Sequence, residues 1–341
     1  MTKVLIGLDI GIQTIKAVQL SREKTRTTLL AAGYIPTPAR TPNATETMEE
    51  QTIANSVNRL VRDMKVSTAE VSASLSSSKV VTRVIEVPVM KESELDASIQ
   101  WEAEQYIPWP LSKVKLDYAI IAQDTRSQKM KVLLVAAPLV LIERYMRIIT
   151  AAGLTPIALE TEILAVARSI SEAFQTIANL LIVSIGAGTT DIAILHDHTL
   201  VYTKSYPIGG ITLTRAISDE LGFEITQAEE YKKTYGLEED KLEGKIAKII
   251  SPFFTNITQE MEKTVTYFKG QYPGEEISTS VLTGGTARLP GLVLFITRNL
   301  GIDSQSANPF LNLVVDPNVL SSVTPDASLY TAAVGLALKE T

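Results

Sequence analysis

The chain has 341 residues, enough for two domains with cores of their own. Its 45% hydrophobic and 21% charged content is that of an ordinary globular protein, and a net charge of −6 excludes the basic face that non-specific nucleic-acid binding needs. The absence of cysteine excludes a disulfide scaffold and a thiolate zinc site, and the longest apolar run, Val132 to Ile142, is broken by Pro138 and too short to span a bilayer.

Met1-Thr2-Lys3 leads straight into a glycine-interrupted strand instead of a signal-peptide core, so a cytoplasmic protein is expected. A hairpin is predicted over residues 3–20, with the apolar run Leu5 to Ile10, the turn Gly11-Ile12-Gln13-Thr14, and a return through Ile15 and Lys16. A third strand follows over Thr27–Tyr34, then a loop over 36–47 marked by Pro36, Pro38 and Pro42. Ile53, Val57, Leu60, Val61 and Met64 recur at helical spacing within Thr52–Lys65, and Val71–Leu75 and Val80–Val87 read as strands. A helix over Lys91–Ile107 is stopped by Pro108 and Pro110. Strands are predicted at Val114–Ile121 and Met130–Ala136, a helix at Leu139–Ala152 closed by Gly153, a strand at Leu154–Leu159 and a helix at Thr161–Ala173.

A second hairpin repeats the first. Leu181 to Ile185 is an apolar strand, Gly186-Ala187-Gly188-Thr189-Thr190 a glycine and threonine turn, and Asp191-Ile192-Ala193 the return. His196-Asp197-His198 resembles a metal motif but falls at a hairpin tip and reads as a solvated turn before the strand Thr199–Tyr206. Gly209-Gly210 opens a helix through Leu221, followed by helices at Thr226–Tyr235, Leu242–Ile250 and Phe253–Lys269. Val281-Leu282 enters a third glycine turn, Thr283-Gly284-Gly285-Thr286-Ala287-Arg288-Leu289-Pro290-Gly291, and a helix over Leu292–Leu300. A closing helix is predicted over Pro325–Leu338, with Asp326 in its first turn where the helix dipole favours it. Glycines let a turn approach a ligand closely, and threonine hydroxyls with free N–H groups bind phosphate oxygens. Two such hairpins in one chain point to two related half-domains closing on one nucleotide.

In this order and spacing, the three turns resemble the actin-like ATPase superfamily. The resemblance implies an α/β, ribonuclease H-like two-domain fold with a nucleotide cleft. Glu102 to Pro108 and Lys115-Leu116-Asp117-Tyr118 resemble the subdomain inserted in the FtsA-like PilM family of type IV pilus assembly proteins. The end of the chain soon after Leu338 is also closer to that family than to FtsA, which carries a C-terminal membrane-binding helix. On this resemblance the first actin-like domain is expected at 1–87 with 160–183 and 316–341, and an inserted subdomain at 88–159. The second domain is expected at 184–220 with 276–315, and a small helical subdomain at 221–275.

The resemblance also implies ATP or ADP with Mg²⁺. Asp9 would hold the metal through water, Gly11, Ile12, Gln13 and Thr14 would donate to phosphates, and Lys16 would meet the β-phosphate. Gly186, Ala187, Gly188, Thr189 and Thr190 would grip phosphates from the other side. Ser184 departs from the pattern, which has Asp there and uses it in the metal–water cluster. Nucleotide binding is therefore expected to survive and hydrolysis to be slow or absent. Glu162 would orient an attacking water, with Glu160 its rival. Glu229 and Lys232, on one helix face at i,i+3, would meet ribose and adenine. Gly209 and Gly210 would bring helix N–H groups to the nucleotide, and Gly284, Gly285, Thr286 and Arg288 would line the adenosine.

The implied partner is the cytoplasmic tail of a PilN-like membrane protein, lying extended on a strand edge within 88–159. Other pilus assembly components and self-association are implied too, and the protein would sit at the inner membrane through its partners without inserting. Two other functions fit the superfamily. One is a filament-forming cytomotive ATPase like MreB. The other is a small-molecule kinase, for which an evident substrate-base Asp after a glycine loop is missing.

Overall fold

The computed structural model describes residues 3–24, 26–39, 45–124 and 128–340. The central strand of its first sheet is buried on both faces, as a sheet covered by helices on both sides requires. β1 (Lys3–Ile10) buries Leu5, Ile6 and Leu8. β2 (Thr14–Glu23) and β3 (Arg26–Pro36) continue as an antiparallel meander. α1 (Glu46–Asp63) starts where the Thr45 hydroxyl accepts a hydrogen bond from the Met48 N–H, and it buries Ala54, Val57, Leu60 and Val61 against the sheet. β4 (Glu70–Leu75) then pairs parallel to β1.

The chain leaves this layer for β5 (Val81–Pro88), α2 (Glu92–Glu104), β6 (Val114–Asp124) and β7 (Lys129–Pro138). It returns through α3 (Leu139–Ala151), which packs on α1, and β8 (Thr155–Thr161), which pairs with β4. After α4 (Glu162–Ala173) the pattern repeats in β9 (Asn179–Ile185), β10 (Thr190–His196) and β11 (Thr199–Tyr206). α5 (Gly210–Leu221), α6 (Ile225–Tyr235) and α7 (Lys245–Gln271) lead to β12 (Thr279–Thr283), α8 (Leu292–Leu300) and β13 (Asp303–Ser306). α9 (Pro317–Val323) and α10 (Thr331–Ala337) close the chain.

The first sheet has the order β3-β2-β1-β4-β8 and the second β11-β10-β9-β12-β13. Antiparallel and parallel pairings fall at the same places in both, so the halves are copies of one unit. The third sheet, β5-β7-β6, is antiparallel throughout. This is the two-domain actin-like α/β architecture expected from the three turns. α10 packs onto β1 and α4 by close backbone approach. A Cβ on Gly7 of β1 would lie 1.9 Å from the Ala333 carbonyl oxygen, and one on Gly335 would lie 1.8 Å from that of Ala165. Arg168 donates to the Gly335 carbonyl at 2.7 Å and forks onto Glu160 at 2.6 and 2.8 Å, and Lys339 reaches Glu160 at 3.0 Å.

Several expectations change. By sheet membership the insert runs from 81 to 138, where 88–159 was expected, because β5 pairs with β7 and because α3 and β8 rejoin the first layer. Met130–Ala136 offers no edge: β7 is central and hydrogen-bonded on both sides, leaving β5 and β6 as the edges. The helices expected at Leu242–Ile250 and Phe253–Lys269 fuse into α7 with Pro252 inside. The missing N–H of Pro252 costs one helical bond, but the stripe Ile246, Ile250, Phe254, Ile257, Met261, Val265 and Phe268 stays continuous and buried. β13 is Asp-Ser-Gln-Ser and has no strand-like composition. It forms because β12 presents an edge, and the Ser280 and Ser304 hydroxyls join at 2.7 Å. The closing helix begins as a 3₁₀ turn over Thr324–Tyr330 and becomes α-helical at Thr331. Residues 40–44 of the loop expected at 36–47 lie outside the described residues.

Candidate nucleotide-binding cleft

The turns of the two hairpins are built alike. Gly11 N–H donates to the Thr14 carbonyl at 3.0 Å, and Gly186 N–H to the Thr189 carbonyl at 2.8 Å. They meet across a cleft of about 360 Å³. The tips are so close that a Cβ on Gly188 would lie 2.8 Å from Ile12 Cδ1. The third turn closes the cleft from the side. Gly284 has φ +88°, and a Cβ there would sit 2.5 Å from the Ile185 carbonyl oxygen, so only glycine lets β12 enter the turn beside β9.

Most residues singled out in the sequence line this one space: Asp9, Gly11, Ile12, Gln13, Thr14, Lys16, Glu162, Gly186, Ala187, Gly188, Thr189, Glu229, Lys232, Gly284, Gly285, Thr286 and Arg288, with Ser184 beside them. Three do not. Thr190 is buried and donates its hydroxyl to the Ile208 carbonyl at 2.7 Å. Gly209 and Gly210 stand behind the second turn, where Gly210 N–H and Ile211 N–H donate to the carbonyls of Gly186 and Ala187, both at 2.9 Å. The first amides of α5 thus brace the turn instead of facing the cleft. Tyr34, Ser76, Lys233 and Ser328 also line the space and were not singled out. Tyr34 comes from β3, Ser76 from the loop after β4 and Ser328 from the 3₁₀ turn before α10, none with a glycine signature; only Lys233, next to Lys232 on α6, lay near a motif.

Charge is concentrated at the first hairpin. Asp9 is buried; its carboxylate accepts from Ser74 Oγ at 2.9 Å and from Lys16 Nζ at 2.7 Å. Glu162, the first residue of α4, faces into the cleft, and burial pushes its carboxyl up to about 8, helped by the nearby charges of Asp9 and Asp191 and opposed by Lys16. Glu160, its rival, is spent on Arg168 and Lys339. On the opposite wall Lys232 donates to Glu229 at 2.5 Å, Thr214 Oγ1 at 2.8 Å and the Gly210 carbonyl at 3.0 Å. All three ammonium protons are thereby used on the protein, so Lys232 locks α6 to the start of α5. Burial holds the Lys232 pKa below its usual range. Burial also works to raise Glu229, but its bonds from Lys232 and Thr214 outweigh this and leave it low. At the mouth Arg288 forms an ion pair with Asp326, which also accepts from the Tyr34 hydroxyl at 3.1 Å.

Among the described residues no group of three or more His, Cys, Asp or Glu converges as a metal shell; only Asp197 and His198 form the turn, both with positive φ, whereas His196 ends β10 and packs on Tyr272 instead of facing solvent. A magnesium ion that keeps most of its waters would fit the residues here: the charge of Asp9 acts on Glu162, and Mg²⁺ typically takes one or two carboxylates beside substrate phosphates.

Paired copies of one sheet, each offering a glycine turn to a shared cleft, define an actin-like ATPase fold. A family model described as type IV pilus assembly protein PilM matches residues 7–341. The chain belongs to that PilM family. A chain of the solved "PilM-PilN type IV pilus biogenesis complex" is 28% identical and superposes with a TM-score of 0.83, covering 98% of this chain and 97% of that one. MreB 5 of Spiroplasma citri bound to AMPPNP shares the fold, with a TM-score of 0.53 and 14% identity over 98% of this chain and 94% of that one. The cell division protein FtsA of Neisseria meningitidis serogroup B (strain ATCC BAA-335 / MC58) is 20% identical over 269 residues, 73% of this chain. The match spans 62% of that relative's length.

Proposed function

We propose that this protein is the nucleotide-binding component of a type IV pilus assembly complex, docking the cytoplasmic tail of a PilN-like membrane protein. One observation carries the nucleotide half: three glycine turns, distant in sequence, converge on one cleft of about 360 Å³ with Asp9, Lys16 and Glu162 at its phosphate end. The two hairpin turns would hold the phosphates of ATP, and Gly284, Gly285 and Thr286 would hold its ring. Bound Mg²⁺ would neutralise phosphate charge. Asp9 and Glu162 would hold it through water, and Lys16 would turn from Asp9 toward a phosphate oxygen. Hydrolysis is slow or absent because Ser184 brings no carboxylate to the second turn.

Family membership, and a PilN partner in the complex of the 28%-identical relative, support the docking half and favour it over a filament former or a small-molecule kinase. The tail lies extended on an open edge of the third sheet, where it gains main-chain hydrogen bonds. Among the described residues no helix is long and apolar enough to cross a membrane; on this reading the PilN-like partner brings the protein to the membrane. Hydrogen exchange on the full chain tests both halves. Mg-ATP should protect the turns at 11–14, 186–189 and 284–288, and a PilN-like tail peptide should protect 81–138 or the adjoining first half. Tail protection confined to 186–315 would rule out the docking site.

A further inference from the structure

A nucleotide carries a flat base as well as phosphates, and two planar side chains line the cleft. Among the described residues Tyr34 is the one aromatic side chain that lines it, and Tyr34 is 40% exposed. Arg288, at the end of the third turn, is the other planar group. Gly284 and Gly285 line the same space with bare backbone. Aromatic rings and guanidinium planes are the surfaces on which a base stacks.

Asp326, in the 3₁₀ turn before α10, holds both planar groups. Its Oδ1 pairs with Arg288, and its Oδ2 accepts from the Tyr34 hydroxyl at 3.1 Å. Both carboxylate oxygens are thus engaged. Tyr34 comes from β3 in the first half and Arg288 from the turn after β12 in the second, so the two are joined across the mouth. Behind Tyr34 stands Tyr330, edge-on with ring centroids 6.1 Å apart, and Tyr330 packs in turn on Phe310 at 5.8 Å. The Tyr34 ring therefore has a fixed seat. Burial and the Asp326 charge hold its hydroxyl pKa above the usual range, so the hydroxyl remains a donor at neutral pH. The other neighbour of Tyr34 is Lys16, opposite it in the β2–β3 ladder and part of the phosphate end.

We infer that Tyr34 and Arg288, both held by Asp326, clamp the base of the bound nucleotide at the Gly284-Gly285 turn, with Tyr34 a base-contacting residue and Asp326 a positioning residue. The inference rests on the nucleotide-binding reading and deepens it, because it says how the site takes a base-bearing ligand. Stacking recognises the face of a ring and not its edge, so the clamp favours a base over no base without itself selecting adenine. Asp326 fixes both groups before the nucleotide arrives, so little side-chain freedom is left to lose on binding.

Titration of the nucleotide-stripped full chain with Mg-ATP and with Mg-tripolyphosphate, which has no base, tests this. Tyr34→Ala should weaken Mg-ATP at least about 10-fold, the loss expected for one base–aromatic stack, and leave Mg-tripolyphosphate unchanged. Tyr34→Phe keeps the ring and should recover most of that loss. Asp326→Ala frees both planar groups and should weaken Mg-ATP at least about 3-fold, again sparing Mg-tripolyphosphate. Tyr34→Trp should bind Mg-ATP with quenching of the new indole, which Mg-tripolyphosphate does not cause. Thermal melts establish that each variant is folded, and Tyr34→Trp carries the test if Tyr34→Ala is not. Equal losses of both ligands in Tyr34→Ala would place Tyr34 with Lys16 at the phosphate end and overturn the clamp. Tyr34→Ala that binds Mg-ATP like the parent overturns it too and leaves the nucleotide reading standing. Asp326→Ala without effect overturns the positioning role. A parent that does not bind Mg-ATP overturns clamp and nucleotide reading together.

Discussion

In the first hairpin Asp9 stands opposite Lys16; at the same two positions of the second, Ser184 stands opposite Asp191. Ile10 pairs with Ile15, Ile185 pairs with Thr190, and each four-residue turn closes on a Gly N–H to carbonyl bond. The backbones are interchangeable and the charges are not. The first hairpin holds a nearly buried ion pair at the cleft. The second keeps its carboxylate on the other strand, lining an opening behind the cleft. Gripping phosphates needs only turn geometry and N–H groups, which both hairpins retain. Organising a metal–water cluster needs charge from both sides, which only the first supplies. On the proposed reading, the first copy would supply both binding shape and charge, and the second the binding shape without the hydrolytic charge.

Breaking the first pair should have the largest effect. Lys16→Met leaves Asp9 buried beside Ser74 alone and should lower stability by about 3 kcal/mol in a urea melt, as removal of one partner of a buried pair does. Changing Asp9 as well, in Asp9→Asn/Lys16→Met, should recover much of that loss. A single variant as stable as the parent would show that the pair is not the structural centre of the first hairpin.

Restoring the second hairpin sharpens the contrast. The parent should turn over ATP far below the typical enzyme rate of about 10 per second, and Ser184→Asp should raise turnover at least about 10-fold. A steady-state phosphate-release assay with no gain would place the limit elsewhere than at position 184.

The smallest effect is a pH slope. Glu162 has its carboxyl raised from 4.5 to about 8 by burial and by Asp9 and Asp191. The folded state therefore holds a proton that the unfolded state has lost, and stability falls as pH rises from about 4.5 to about 8. In metal-free buffer Glu162→Gln should gain at least about 2 °C in Tm over the parent between pH 5 and 8. Parallel Tm curves for the two proteins across that range would contradict the crowding of carboxylates at the first hairpin.

Much of this was legible in the sequence because it is written in local signals. Glycine turns after apolar runs located all three loops, whereas Ser184 stood out only against the pattern of the superfamily the chain resembles. What escaped depends on packing. The Tyr34 and Ser328 side chains reach the cleft from elements whose residues carry no motif, and β13 is a strand only because β12 leaves an edge open. Lys232, expected to meet ribose or adenine, lines the cleft with its protons all taken by Glu229, Thr214 and Gly210, a three-body arrangement that i,i+3 spacing does not encode. Gly209 and Gly210 look like a ligand turn, but the amides of Gly210 and Ile211 face the neighbouring loop. The insert boundary slipped because β5 continues from β4 after a short turn and only its pairing with β7 reveals its sheet.

The cleft as a Mg-ATP site is tested most directly by isothermal titration of nucleotide-stripped protein with Mg-ATP, comparing the parent with Asp9→Ala and Ser184→Ala. The expected result is one site per chain in the parent, a loss of about 100-fold (about 2.7 kcal/mol) in Asp9→Ala, and a change within about 3-fold in Ser184→Ala. No heat of binding in the parent, or equal losses at Asp9 and Ser184, would contradict it.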